Sequence, residues 1–108
     1  MVLTVLTLLP GCRARFVFEG RVSDAAGPLV DARARVICHR AVELESHSDG
    51  AGRFASTTTG ARPDSCEIQV SAARHHTRTL PLAQVCTTRE GEHGCLAVAF
   101  DVVLDAAE

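Results

Sequence analysis

The sequence contains no tryptophan, no tyrosine and no lysine, and its four aromatic residues are all phenylalanines: Phe16, Phe18, Phe54 and Phe100. Proteins that hold single-stranded nucleic acid stack bases on exposed aromatic faces, and sugar sites commonly use similar flat platforms. Both classes lose ground here. A dense basic cluster is missing as well. The eleven cationic residues are arginines scattered from Arg13 to Arg89, and a net charge of −2 gives no strong drive toward nucleic acid or an anionic membrane surface. Low-complexity tracts are also absent. With 46% apolar and 22% charged residues over 108 positions, the composition is that of one globular domain rather than a disordered chain.

The apolar stretch Val2–Leu9 (V-L-T-V-L-T-L-L) is too short to cross a bilayer, which takes about 20 residues as a helix. Its length fits the apolar centre of a signal peptide. The segment that follows, Leu9-Pro10-Gly11-Cys12, resembles the lipobox of bacterial lipoproteins. That resemblance implies a signal peptide over 1–11, a diacylglyceryl thioether on Cys12, a short tether over 12–14 and a folded domain over 15–108. The membrane would then be reached through the lipid, in the cell envelope.

Five cysteines are present, at 12, 38, 66, 86 and 95. An odd number is awkward for a disulfide-stapled protein, but setting Cys12 aside leaves four. Four thiols in a small exported domain are expected to form two bridges, supplementing a modest core.

From Arg15 onward the pattern is that of strands, with no convincing helix. Phe16, Phe18 and Val22 alternate with Val17, Glu19 and Arg21, a period of two. Ala32, Ala34, Val36 and Cys38 alternate with Arg33, Arg35, Ile37 and His39, and Val42 and Leu44 alternate with Glu43 and Glu45. Asp49-Gly50-Ala51-Gly52 signals a tight turn. Further strands are expected over 53–59, over Cys66, Ile68, Val70 and Ala72, over 77–82, and over 96–104 with Leu96, Val98, Phe100, Val102 and Leu104 on one face. About seven short strands, each apolar on one side, need a second sheet to cover them, so the expected fold is an all-β Greek-key sandwich. Cys38 and Cys66 fall on apolar faces, and Cys86 and Cys95 flank a short polar loop. The pairings Cys38–Cys66 and Cys86–Cys95 are therefore favoured over the two other connectivities.

Between Val17 and Ala72 the chain resembles the carboxypeptidase regulatory-like domain, a transthyretin-like sandwich. The resemblance rests on Gly20-Arg21-Val22-Ser23-Asp24, Gly27-Pro28-Leu29, Ser48-Asp49-Gly50-Ala51-Gly52-Arg53-Phe54 and Cys66-Glu67-Ile68-Gln69-Val70-Ser71-Ala72. These are turn and core signatures. They imply an accessory module of exported proteins and bring no catalytic residues with them. Hydroxyisourate hydrolases share the transthyretin-like fold, but the tyrosine of their C-terminal motif has no counterpart here.

Candidate chemistry is thin. His75, His76 and His93 are suitable metal-ligand types and define the alternative reading, a small-ligand or metal-binding periplasmic protein. Cys86-x6-His93-x-Cys95 is not a usual zinc spacing, and oxidised cysteines cannot ligate. Adjacent Cys38 and His39 would face apart on a strand, Asp49 beside Ser48 has a sufficient role in its turn, and Glu43 with Glu45 reads as a solvated edge. The expectation is a non-enzymatic envelope module without a cofactor, acting through contacts with another envelope protein.

Overall fold

A computed structural model describes residues 14–107. Cys12, the expected signal peptide over 1–11 and most of the expected tether over 12–14 lie outside the described residues. Ten strands and one helical turn follow in the order β1 Arg15–Asp24, β2 Gly27–Pro28, β3 Arg33–Cys38, β4 Ala41–His47, β5 Arg53–Thr59, β6 Arg62–Pro63, β7 Glu67–Ser71, β8 Arg78–Pro81, α1 Leu82–Val85, β9 Cys86–Glu90 and β10 Gly94–Val103. They form a sandwich of two sheets. In the first, β1 lies between β5 and β10, β9 flanks β10, and the two-residue strands β2 and β6 complete it. The second is the antiparallel array β4-β3-β7-β8. The chain changes sheet four times, after β2, β4, β6 and β8. Its first and last long strands, β1 and β10, pair side by side in parallel.

The period-two faces meet between the sheets. Phe16, Phe18, Val22, Phe54, Val98, Phe100, Val102 and Leu104 pack against Ala34, Val36, Ile68 and Val70. Gly20 belongs to the same inward row of β1 and stands in register with Phe54 on one side and Phe100 on the other. The Phe100 ring fills the space its missing side chain leaves, since a Cβ there would come within 2.3 Å of it. Phe18, Phe54 and Phe100 then close into an aromatic trio with centroids 5.3–6.3 Å apart, at edge and tilted angles that suit ring quadrupoles.

Seven of the strands correspond to the seven the alternation predicts, and three differences have physical causes. First, β9 forms a hairpin with β10 where a polar loop is expected. Its residues are mostly exposed, so no apolar alternation announces it. Second, register shifts between Cys95 and Val98 change the inward parity, burying Cys95 and leaving Leu96 only half-buried. Third, β4 has an extra residue opposite the Val36–Ile37 step, which turns Val42 outward to 50% exposure while Leu44 stays against the core.

Both expected disulfides are present. Cys38 and Cys66 continue the β3–β7 register beyond Ile37 and Glu67, with a Cα separation of 4.4 Å. That spacing matches the closer class of antiparallel residue pair, about 4.5 Å. Cys86 and Cys95 join β9 to β10 at a Cα separation of 6.0 Å.

Candidate functional site

The sequence-predicted ligand set does not come together. His93 immediately precedes β10 and is almost fully exposed beside Glu92, whereas His75 bridges to Ala106 beyond the other end of that strand. Ten extended residues, about 33 Å, separate those ends. His76 is exposed, and its backbone N–H donates to the Asp105 carbonyl at 2.8 Å. Among the described residues no three of His, Cys, Asp and Glu form a group able to hold a metal ion. This removes the geometric basis of a site built on His75, His76 and His93.

His75 instead has a structural position. Its Nδ1 lies 2.8 Å from the Ala73 carbonyl and its Nε2 lies 2.9 Å from Asp24 Oδ2. An imidazolium donates to both. A neutral ring donating to the carbonyl would set a nitrogen lone pair against the carboxylate. The Ala73 carbonyl, followed by the Asp24 carboxylate, accordingly raises the His75 pKa. Asp24 is lowered, chiefly by its bond from His75 and also by the N–H groups of Ala26 and Gly27.

The serine–aspartate motif is likewise occupied by the fold. Ser48 Oγ donates to the Leu29 carbonyl at 2.7 Å and accepts from the Ala32 N–H at 2.9 Å, satisfying a buried hydroxyl twice. Asp49 Oδ1 accepts from the N–H groups of Arg53 and Ala51, both at 2.9 Å. The first of these bonds contributes most to holding its carboxyl below the usual range. Gly52 adopts φ 76° with the Val22 carbonyl against it, so a Cβ would meet that oxygen at 2.5 Å. Cys38 is in its bridge, and His39 occupies the turn after it. Glu43 pairs with Arg62 at 3.2 Å, and Glu45 with Arg35 and His47.

A concavity lies elsewhere, on the outer face of the first sheet. A shallow groove of about 760 Å³ runs over β5, β1 and β10. The odd-numbered residues of β5 and β1, and those of β10 from Ala97 onward, lie on the outer face, in rows fixed by register. Ala55, Glu19 and Ala99 form one row, and Arg53, Arg21 and Asp101 form the next. Small alanines flank Glu19, which is why the surface dips there. Among the described residues none of Glu19, Arg21, Arg53 and Asp101 makes an ion pair. The alternation of β1 places Glu19 and Arg21 on the outer face. Their partners in register lie 32 to 80 positions away, so the cluster is invisible in sequence.

Neither a family model nor a curated protein matches this sequence. Solved structures similar in fold include two dioxygenases. Hydroxyquinol 1,2-dioxygenase from Pseudomonas putida DLL-E4 matches 87% of the chain at 13% identity, with a TM-score of 0.56. Catechol 1,2-dioxygenase from Acinetobacter sp. ADP1 matches 88% at 12% identity, with a TM-score of 0.55. The match spans 57% and 53% of those two chains, a little over half of each. At such identities the likeness establishes the sandwich architecture alone.

Proposed function

We propose that this chain is a membrane-anchored β-sandwich of the bacterial cell envelope, held by a lipid on Cys12 and acting through protein contacts rather than catalysis. The observation that carries this reading is the cysteine inventory. Two bridges consume four of the five cysteines. Two bridges suit an oxidising compartment. The fifth cysteine stands in the lipobox-like Leu9-Pro10-Gly11-Cys12. A role as a carboxypeptidase regulatory-like accessory domain is supported by the motif residues, since Gly20, Ser48, Asp49, Gly52 and Phe54 all serve turns or core. The non-catalytic part of the reading draws support from the same positions: Ser48, Asp49 and His75 are each committed to bonds that hold the fold.

The test is fractionation and intact mass of the full chain expressed in a bacterium that processes lipoproteins. The expected product begins at Cys12, carries a diacylglyceryl-containing mass increment, sediments with membranes and gains four hydrogens on reduction. Cys12→Ser should abolish the increment and release the protein from the membrane fraction. A wild-type chain recovered unprocessed, with Cys12 as a free thiol and away from membranes, would overturn the proposal.

A further inference from the structure

We infer that the outer face of the β5-β1-β10 sheet is an isologous dimer interface, whose partner is a second copy of this chain. The inference stands on the face itself and holds whether or not Cys12 carries a lipid.

Four rows of outward residues cross the three strands. They are Thr57, Val17 and Ala97; Ala55, Glu19 and Ala99; Arg53, Arg21 and Asp101; and, past the end of β5, Ser23 and Val103. Place a two-fold axis across the strands above Gly20, midway between the second and third rows. The rotation reverses the strand direction and keeps each strand over its own copy. The second row of one molecule then faces the third row of the other, and the first faces the fourth.

The pairing this generates is complementary at each position. Glu19 meets the partner copy's Arg21, twice by symmetry. Arg53 and Asp101, the long side chains at the flanks, land over the small Ala55 and Ala99. Val103, one of the few large apolar residues left exposed at 52%, lands over Ala97. Arg21 and Arg53 are directly opposite each other within one sheet, a like-charge arrangement that costs stability in isolation. The partner's Glu19 comes to lie against both. Glu19, Arg21, Arg53 and Asp101 sum to zero, so the two central rows are balanced in charge and matched in detail, as a self-complementary surface must be. Asp49 adds one negative charge at the groove's edge beside Arg53. Sheets packing face to face in this way lie about 10 Å apart with strands roughly aligned. The alanines flanking Glu19 leave room for the facing side chains.

The surface is small. Three strands about 4.8 Å apart and four rows about 7 Å apart cover roughly 14 by 24 Å. This falls below the accessible area of about 800 Å² per partner in a standard interface. The association is therefore weak and reversible, in the micromolar to millimolar range.

The test uses the full chain with Cys12→Ser and both bridges oxidised, which removes lipid and any thiol-linked dimer. Sedimentation velocity up to about 1 mM should show a reversible monomer–dimer equilibrium. Glu19→Arg and Arg21→Glu, both on exposed positions, should each lower the association constant about tenfold or more while keeping the thermal midpoint. Each homodimer would then set like charges together twice. Mixing the two variants should restore association as a heterodimer, because both contacts then pair Arg with Glu. So should the double swap Glu19→Arg/Arg21→Glu. A wild-type chain that stays monomeric at about 1 mM, single variants that associate as the wild type does, or a mixture that fails to recover would each overturn the inference.

Discussion

The imidazole of His75 is clasped between the Ala73 carbonyl and the Asp24 carboxylate, 51 residues away in sequence. This clasp secures the segment that pairs with the chain end: the N–H of Ala107 donates to the Arg74 carbonyl, and His76 bonds Asp105. Its pH dependence has a definite sign. The raised His75 pKa contributes stability in full below the ordinary value of 6.5, lost as pH rises through the folded value. The lowered Asp24 pKa contributes stability above 3.8, lost as pH falls through the folded value. The pair thus favours folding most between those two ordinary values. Urea midpoints measured from pH 6 to pH 8.5 should fall in the wild type, and His75→Gln should remove most of that fall. Asp24→Asn should keep part of it, because the Ala73 carbonyl is the larger cause of the His75 shift. An unchanged slope in His75→Gln would show that this histidine is not a source of the dependence. At this scale the turn role of Asp24 is legible in Asp24-Ala25-Ala26-Gly27-Pro28. The His75 contact is not, because no periodicity links residues so far apart.

Among elements, the β3–β4 hairpin is closed by His39 and Arg40, both in the left-handed region at φ 52° and 69°. A two-residue hairpin loop with two positive φ values is the mirror-type turn that matches strand twist, and Asn-Gly is its natural occupant. Residues with a Cβ pay for this geometry, at roughly 1–2 kcal/mol each for bulky side chains. His39→Asn with Arg40→Gly is therefore expected to raise stability by about 1 kcal/mol, after allowing for the extra freedom Gly brings to the unfolded chain. The measurement is a higher urea midpoint at unchanged slope. No gain would mean that the hairpin closes by a different turn in solution. The same hairpin shows where sequence reading stops at element scale. Its strands are visible because Val36, Cys38 and Leu44 face a core. The bulge in β4 that turns Val42 outward is set by pairing with β3, which no single strand encodes. β9 is harder still: with four of its five residues exposed, it owes its existence to the β10 edge beside it. The outer-face groove follows the same logic, since the alternation of β1 marks Glu19 and Arg21 as outward while the rows they complete depend on register.

At the scale of the molecule, each disulfide lies within one sheet: Cys38–Cys66 joins β3 to β7, and Cys86–Cys95 joins β9 to β10. Neither crosses the sandwich. The two sheets are held to each other by the phenylalanine-rich core and by four chain crossovers, while the bridges act chiefly by restricting the unfolded chain. By loop length, the 28-residue separation contributes about 3.6 kcal/mol and the 9-residue separation about 2.7 kcal/mol. A domain of this size has a total stability of about 5–15 kcal/mol, so the two bridges together rival the whole margin. Reduction should also proceed in order. Cys86 is only half-buried on the edge strand β9, whereas Cys38 and Cys66 are each at most 2% exposed in the core. Mild reductant followed by alkylation should first yield a folded species modified at Cys86 and Cys95, with a lowered thermal midpoint. Stronger reduction should open Cys38–Cys66 and abolish the cooperative transition at 37 °C. Circular dichroism with intact mass at each step distinguishes the outcomes. A fully reduced chain that keeps its native midpoint would show that the core alone carries the fold. Opening of Cys38–Cys66 first would show that the second sheet breathes more readily than its burial implies.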